Sequence, residues 1–471
     1  MSGLFGALGN SVKALNAQSR SLETAGKNLA NVNNESYARQ RVVLGDRGTV
    51  MTSLGAQSLG LEAKSIQQLR DELLDRQVVR ESSLQSTYEA EQAAYTKAQA
   101  GLGQSVDSSG AANTSAYSGS GSGIAEALDN LFSSFSSLAA RPTDPGQKET
   151  LVQNAGILVD RLQTTDTRLD QLQTDLTNQT QSDIDDANKL LQNIADLNTE
   201  IGRFEIANPG SAVDLRDQRQ AQVELLAKKI SIETQPNSSN PSQIDVFVRD
   251  GSGNPITLVT QTTVTGLTLS GSTVSGGSPS TAVVLKGGSI LGNLTARDTG
   301  VKDLRDNLDA LAKQLVVSVN AAYNPTSISG EDFFDSANQT AGTISLRTGL
   351  AASNIRSSNG AAGDNAIAQA VADLANKNFS TASGDAIDGT FSQSFSTTVS
   401  RIGQSLASAN LQVTDQTNIA TLVKSQRDGV SGVSMDEELA DMMKFQRAFQ
   451  ASSRVVQVMS ELLQDVVNLG R

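Results

Sequence analysis

Both ends of this chain carry apolar residues at seven-residue intervals, and that pattern constrains everything between them. From Gly3 to about Asn33, Leu8, Leu15, Leu22 and Leu29 form one helical stripe, with Phe5 and Val12 beside it. The companion positions decay to Ser19 and Gly26, small residues that let another backbone approach but weaken the isolated helix. Alone, such a helix is marginal. Near the other end Met442, Phe449, Val456 and Leu463 form one stripe, and Ala448, Val455, Leu462 and Leu469 a second beside it, with Met459 and Val466 filling in. Together with Met443 and Phe445 this gives a Met-rich apolar face wide enough for more than one partner. Ser434 followed by Glu437 reads as a capping box that starts this helix. The expectation is two terminal helices lying side by side as a coiled coil.

What lies between is too long for one core, since 471 residues predict two to four domains. A net charge of -13 argues against nucleic acid or an anionic membrane as a partner. Histidine, cysteine and tryptophan are absent, which removes the commonest general base, the thiol nucleophile and most transition-metal ligand sets. No cofactor, catalytic residue or metal site is expected, and no disulfide can form, so stability must come from packing or assembly. Residues Met1 to Arg20 lack a continuous apolar run and a cleavage pattern, and no run of apolar residues is long enough to span a bilayer. A soluble protein, or one exported without a cleaved signal peptide, fits these features.

Along the chain, Gly60 to Ala100 reads as a charged, Gln-rich helix, and Gly119 to Gly123 as a flexible joint. Asp144-Pro145 opens a long helix reaching about Ala207, which Asn208-Pro209-Gly210 breaks before a return helix from Asp214 to about Ile230. The alternation of Ile244, Val246 and Val248, of Val264, Leu267 and Leu269, and of Val283 and Leu285 marks a small β insertion. Helix resumes from Asp298 to Tyr323, then from Asp364 to about Lys377 and from about Ile387 to Val423, with Gln426 to Gly432 as a linker. The expected fold is mainly α with an inserted small β domain: the terminal helices 1–34 and 434–471 paired, an extended segment 35–60, a helical rod domain made of 61–231, 298–323 and 364–425, a distal β domain at 232–297, and a loop-rich stretch at 324–363. Asp183, Asp185 and Asp186 lack the spacing of a calcium loop and read as a solvated helix face.

The stretch Gly26 to Arg41, GKNLANVNNESYARQR, resembles the N-terminal signature of flagellar rod, hook and hook-associated proteins. Its form around Tyr37, S-Y-A-R-Q, is most similar to the first hook-associated protein family, as are Gly432 to Leu469, Ala212 to Arg219 and Gly330 to Phe334. That resemblance implies paired terminal helices in an inner tube, middle helices in an outer shell, and a ring of identical subunits seated on the hook. Hook protein, the second hook-associated junction protein and an export chaperone on the C-terminal helix are the implied partners. It also implies an extracellular location in the bacterial flagellum. The family's larger members carry a further β domain after the Glu331-Asp332-Phe333-Phe334 landmark, which a short stretch replaces here. Assembly residues follow: Phe5, Leu8, Val12, Leu15, Leu22, Leu29, Asn31, Tyr37 and Arg39 at one end, and Met442, Phe445, Phe449, Val455, Val456, Met459, Leu462, Leu463, Val466 and Leu469 at the other, the latter shared with the chaperone. Another axial protein of the flagellum and a secreted coiled-coil adhesin remain the competing readings, and a secreted hydrolase would have to work with carboxylates alone.

Overall fold

A computed structural model describes residues 2–46, 48–52, 55–58, 60–103, 123–358 and 364–469. The expected joint, apart from Gly123, lies outside the described residues. The chain forms two compact units, each assembled from separated segments: residues 1–85, 184–288 and 416–471 make the first, and 86–183 and 289–415 the second.

The first unit opens with α1 (Ser2–Ala30), followed by an extended strap that folds into β1 (Gln40–Asp46), β2 (Thr49–Thr52), β3 (Gly55–Ser58) and β4 (Leu61–Gln68). β1 pairs antiparallel with β4 from Gln40↔Gln68 to Asp46↔Leu61, with a bulge at Val43/Leu44, and β2 pairs with β3. The charged, Gln-rich composition from Gly60 to Ala100 predicts helix over Gly60 to Gln68 as well. Pairing with the β-branched Val42 and Val43 takes this segment into a strand instead, the tertiary partner overriding its weak helical preference. Helix α2 therefore starts only at Glu72 and runs to Gly101.

Helix α4 (Pro145–Phe204) begins where Asp144-Pro145 predicts, with the Gly146 N–H donating to Asp144 Oδ1 at 2.8 Å. Its 60 residues make it about 90 Å long, and it contributes to both units in turn. In the first unit it carries the β insertion on two asparagines. Asn198 Nδ2 donates to the carbonyls of Ile244 and Gln261, each at 2.8 Å, and Asn188 brackets Leu267 through both its N–H and its carbonyl. The insertion is a four-stranded antiparallel sheet, β5 (Glu233–Pro236), β6 (Ile244–Arg249), β7 (Pro255–Thr260) and β8 (Thr263–Val264), followed by a three-stranded one, β9 (Thr268–Ser270), β10 (Thr273–Gly276) and β11 (Thr281–Ala282). It does not stand apart from the terminal region: Thr234 and Gln235 line one groove with Gln68 and Arg70. The return helix α5 (Val213–Lys229) sits as predicted.

The second unit holds the largest buried apolar cluster. Helices α3 (Ile124–Ala140), α7 (Lys302–Tyr323), α8 (Ala366–Ala372) and the adjoining parts of α2, α4 and α9 (Phe391–Ser431) build it. Helix starts earlier than expected, at α6 (Ser289–Thr295), and passes through a π turn (Ala296–Val301) into α7. Gly288 marks that boundary, with φ of 96° and no room for a Cβ, which would sit 2.3 Å from the Lys229 carbonyl oxygen. The Glu331-Asp332-Phe333-Phe334 landmark is a core feature. Phe333 and Phe334 are fully buried, and Asn320 fixes them by accepting both their N–H groups and donating to the Phe334 carbonyl. Phe333 also packs on Phe135 and Tyr323 at centroid distances of 5.2 and 5.3 Å. The expected solvated face at Asp183 to Asp186 is only half so. Asp183 is buried and accepts from Ser289 at 2.6 Å, tying α4 to the start of α6, while Asp186 pairs with Lys189 and Lys229.

Helix α9 continues through Ser431 rather than ending near Val423, so the expected linker shrinks to Gly432-Val433-Ser434. Arg427 explains the extension, since it is held in helix by Glu224 at 2.8 Å and by the Glu35 carbonyl at 2.9 Å. Gly432 makes the sharp break possible: a Cβ there would meet the Asp428 carbonyl oxygen at 2.4 Å. Helix α10 (Met435–Leu469) then packs along α1, which also rests on β1 and β4. Among the described residues no helix is long and apolar enough to cross a membrane.

Candidate assembly site

Asn28, in the last turn of α1, is the centre of the terminal region. It is 1% exposed, and all its hydrogen-bonding capacity is used. Its Nδ2 donates to the Gln40 carbonyl at 2.9 Å and to Glu438 Oε2 at 3.1 Å; its Oδ1 accepts from Tyr37 Oη at 2.8 Å and from the Gln40 N–H at 3.0 Å. One buried amide thus joins α1, the strap and the first turn of α10. Since the end of α1 meets the beginning of α10, the two helices run antiparallel. Burial, and then the nearby carboxylates Asp217, Asp214 and Glu438, raise the Tyr37 phenol well above its ordinary value, so it stays a hydrogen-bond donor.

Arg39 closes the other side of the same junction. Its Nε donates to Glu438 Oε1 and its Nη1 to Glu437 Oε2, both at 2.7 Å, and Asp441 lies 3.7 Å away. Glu437, expected to fold back over its own helix start, is engaged with Arg39. The Arg39 N–H also donates to the Ser431 carbonyl at 2.8 Å, binding the strap to the end of α9.

Beneath the strap lies the Ala212 to Arg219 landmark. Asp214 accepts from Gln40 Nε2 at 2.8 Å, and Asp217 accepts from Arg70 Nη2 at 2.6 Å and from the Ala38 N–H. Burial pushes the Asp217 carboxyl up to about 6, against the charge and hydrogen bond of Arg70 and the Ala38 N–H, which oppose the rise. Ala212 and Arg216 instead serve the turn before α5. Arg216 grips Glu205 with two bonds of 2.8 and 2.7 Å, and the Ala212 N–H adds a third at 3.1 Å. Burial would raise the Glu205 carboxyl, but these bonds, with Ser242 and the Gly210 N–H, outweigh it and hold it at about 2.

The seam between α1 and α10 differs from the expected leucine stripe. On α1 the fully buried residues are Ala17, Ser21, Thr24, Ala25 and Asn28, while Leu8, Leu15, Leu22 and Leu29 are half-buried one position along. Small residues win the seam because they let the helices close up, and Ser21 and Thr24 satisfy their hydroxyls on the carbonyls of Ala17 and Arg20. On α10 the half-buried set is Met442, Phe445, Phe449, Val456, Met459 and Leu463, all expected assembly residues. Val455, Leu462 and Val466, also expected, stay exposed, as do Phe5 and Val12 on α1, and the side chain of Leu469 lies outside what the structure describes. Asn31 bonds the Lys27 carbonyl and Asn34, which is helix-terminus chemistry. Sequence reasoning missed Glu438, Asp217 and Arg70. Glu438 had a signal, a charge on an otherwise apolar heptad position; nothing local marks the other two.

A profile described as the flagellar hook-associated protein FlgK helical domain matches residues 113–334, and one described as the flagellar basal body rod FlgEFG protein C-terminal matches 425–469. Flagellar hook-associated protein 1 of Bacillus subtilis (strain 168) is 24% identical over 520 residues, covering 99% of both chains. Over nearly its whole length, then, the chain is similar to flagellar hook-associated protein 1. Flagellar hook-associated protein 1 of Salmonella typhimurium is 22% identical over 586 residues, covering 98% of this chain and 99% of its own. That alignment exceeds the 471 residues here, so the Salmonella relative carries segments with no counterpart in this sequence. The structure of the flagellar hook junction protein FlgK from Burkholderia pseudomallei aligns at 20% identity with a TM-score of 0.45, over 55% of this chain and 46% of that one.

Proposed function

We propose that this protein is a structural, non-enzymatic subunit of the bacterial flagellum, exported and assembled as a ring that joins hook to filament. The observation that carries the reading is the unfinished surface of α10. One face packs on α1, and Met435, Leu439, Met443, Val455, Val458, Leu462 and Val466 remain exposed on the rest. Exposed apolar residues at helical spacing along so long a helix mark an interaction surface, and copies of the chain and its axial neighbours would cover it. Near-full-length similarity to flagellar hook-associated protein 1 and the match of 425–469 to a rod-protein C-terminal profile support an axial position. Hook protein and the second junction protein are the neighbours this reading requires, and an export chaperone would hold the α10 face beforehand.

Assembly then proceeds by templated folding: the terminal helices are marginal in the monomer and gain their full order on docking. Purified protein added to hook-capped basal bodies should form a single ring that does not extend. Tubes of unlimited length would instead indicate a hook or filament subunit. Hydrogen exchange on the dilute monomer should show weak protection of residues 3–33, and full protection there would count against templated folding.

A further inference from the structure

We infer that the buried contact between Asn28 and Glu438, closed by Arg39, sets the register in which α10 packs on α1. Both helices bury residues at heptad spacing: Ala7, Asn10, Ala14, Ala17, Ser21, Thr24 and Asn28 on α1 are half or fully buried. Glu438, Met442, Phe445, Phe449, Ser452, Val456 and Met459 do the same on α10. Two repeats of the same period can slide by seven residues and still interdigitate. Extending both helices at equal rise from the Asn28 to Glu438 bond sets Ser21 opposite Phe445, Ala17 opposite Phe449, Asn10 opposite Val456 and Ala7 opposite Met459. Large side chains on α10 therefore face small ones on α1, and a one-heptad slip preserves that match nearly everywhere.

The polar contact is where a slip fails. Both Glu438 oxygens are taken, Oε1 by Arg39 Nε and Oε2 by Asn28 Nδ2. Three of the four Asn28 bonds go to Tyr37 and Gln40, so the strap holds this amide in place without help from α10. A receptor fixed on one helix and a single buried acid on the other define one alignment. Slipping α10 by seven residues would bring Phe445 to Asn28, or carry the start of the helix past it, and leave the Glu438 carboxylate without either partner. It would also carry the exposed stripe about 10 Å along the axis. Asn28 and Glu438 thus act as positioning residues for the surface that meets neighbours.

The absence of native cysteine makes the register directly measurable. In the full-length chain, Ala17→Cys is combined in turn with Phe449→Cys, Met442→Cys or Val456→Cys, and each dilute protein is oxidised slowly. The 17/449 bridge should exceed the other two at least about tenfold. Glu438→Leu should bring the three yields close together, Asn28→Ala should do so in part, and Glu438→Gln, which keeps hydrogen-bonding capacity, should retain the parental preference. Three results overturn the inference: an unchanged preference in Glu438→Leu, no preference in the parent, or loss of all bridges in both Glu438→Leu and Asn28→Ala, which would make the contact a source of stability and not of register. The ratio of bridges does not depend on how much of the time the helices are paired. It is therefore independent of templated folding and of the junction role, which stand or fall on hydrogen exchange and ring formation.

Discussion

On α3, in the second unit, Leu128, Leu131, Phe135 and Leu138 are at most 1% exposed, whereas on α10 Met435, Leu439, Met443, Val455 and Leu462 are between 43% and 56% exposed. Both helices are amphipathic, and both belong to the same chain. The difference lies in what completes them. In the second unit the loop after α7 brings Phe333 and Phe334 into the core, and Phe391 stacks on Phe132 at 5.4 Å, so the cluster closes within one molecule. The α1–α10 pair has one seam of small residues against large ones, plus a polar junction at one end, and its remaining apolar surface has no partner among the described residues of the chain. A closed core is what one molecule needs to be stable; an open helix pair is what a polymerising molecule needs to be extended.

That contrast can be broken most sharply in the closed core. Phe333→Ala removes a fully buried ring that three aromatic partners touch, and should cost about 3–5 kcal/mol, read as a large fall in the denaturation midpoint of the second unit. If it costs under about 1 kcal/mol, the two regions do not differ as described. Next comes Glu438→Ala, which leaves Arg39 and Asn28 facing an empty site. Because the terminal helices are marginal in the monomer, the expected loss is in the docking of α10 on α1, read as lower hydrogen-exchange protection of residues 435–469, with little change in the second unit.

Acid and base probe the first unit in opposite senses. The native Asp217 carboxyl sits at about 6 and its unfolded value near 3.8, so between these the native state holds the extra proton and stability falls as pH rises through the window, by up to about 3 kcal/mol. Asp217→Asn should abolish that slope in pH-dependent denaturation. Glu205, held at about 2 against an ordinary 4.5, contributes stability that is complete above the ordinary value and is lost as pH falls toward 2. Arg216→Ala should remove that acid limb. The smallest effect on the monomer is expected at the open surface: Leu462→Ser or Val466→Ser should change stability by less than about 0.5 kcal/mol, yet abolish ring formation on hooks. Should either destabilise the monomer strongly, the stripe belongs to an internal core.

Local chemistry alone fixed a good part of this architecture. Asp144-Pro145 starts α4, Asn208-Pro209-Gly210 separates α4 from α5, Asn324 ends α7, and Ser434 precedes α10, because caps and breakers act on the backbone within a turn of themselves. The heptads at both ends foretold paired helices, since periodicity places residues on one face whatever the partner is. Tertiary structure decided the rest. It made a strand of Leu61 to Gln68 because β1 was available to pair, and it carried α9 through Ser431 because Arg427 found Glu224 and the Glu35 carbonyl. It also chose Ala17, Ser21 and Thr24 over the leucines as the seam, and gathered Asn28, Arg39, Asp217 and Glu438 around one strap. Those residues are distant in sequence, and the free energy that unites them is the satisfaction of buried polar groups, which exists only once burial has occurred.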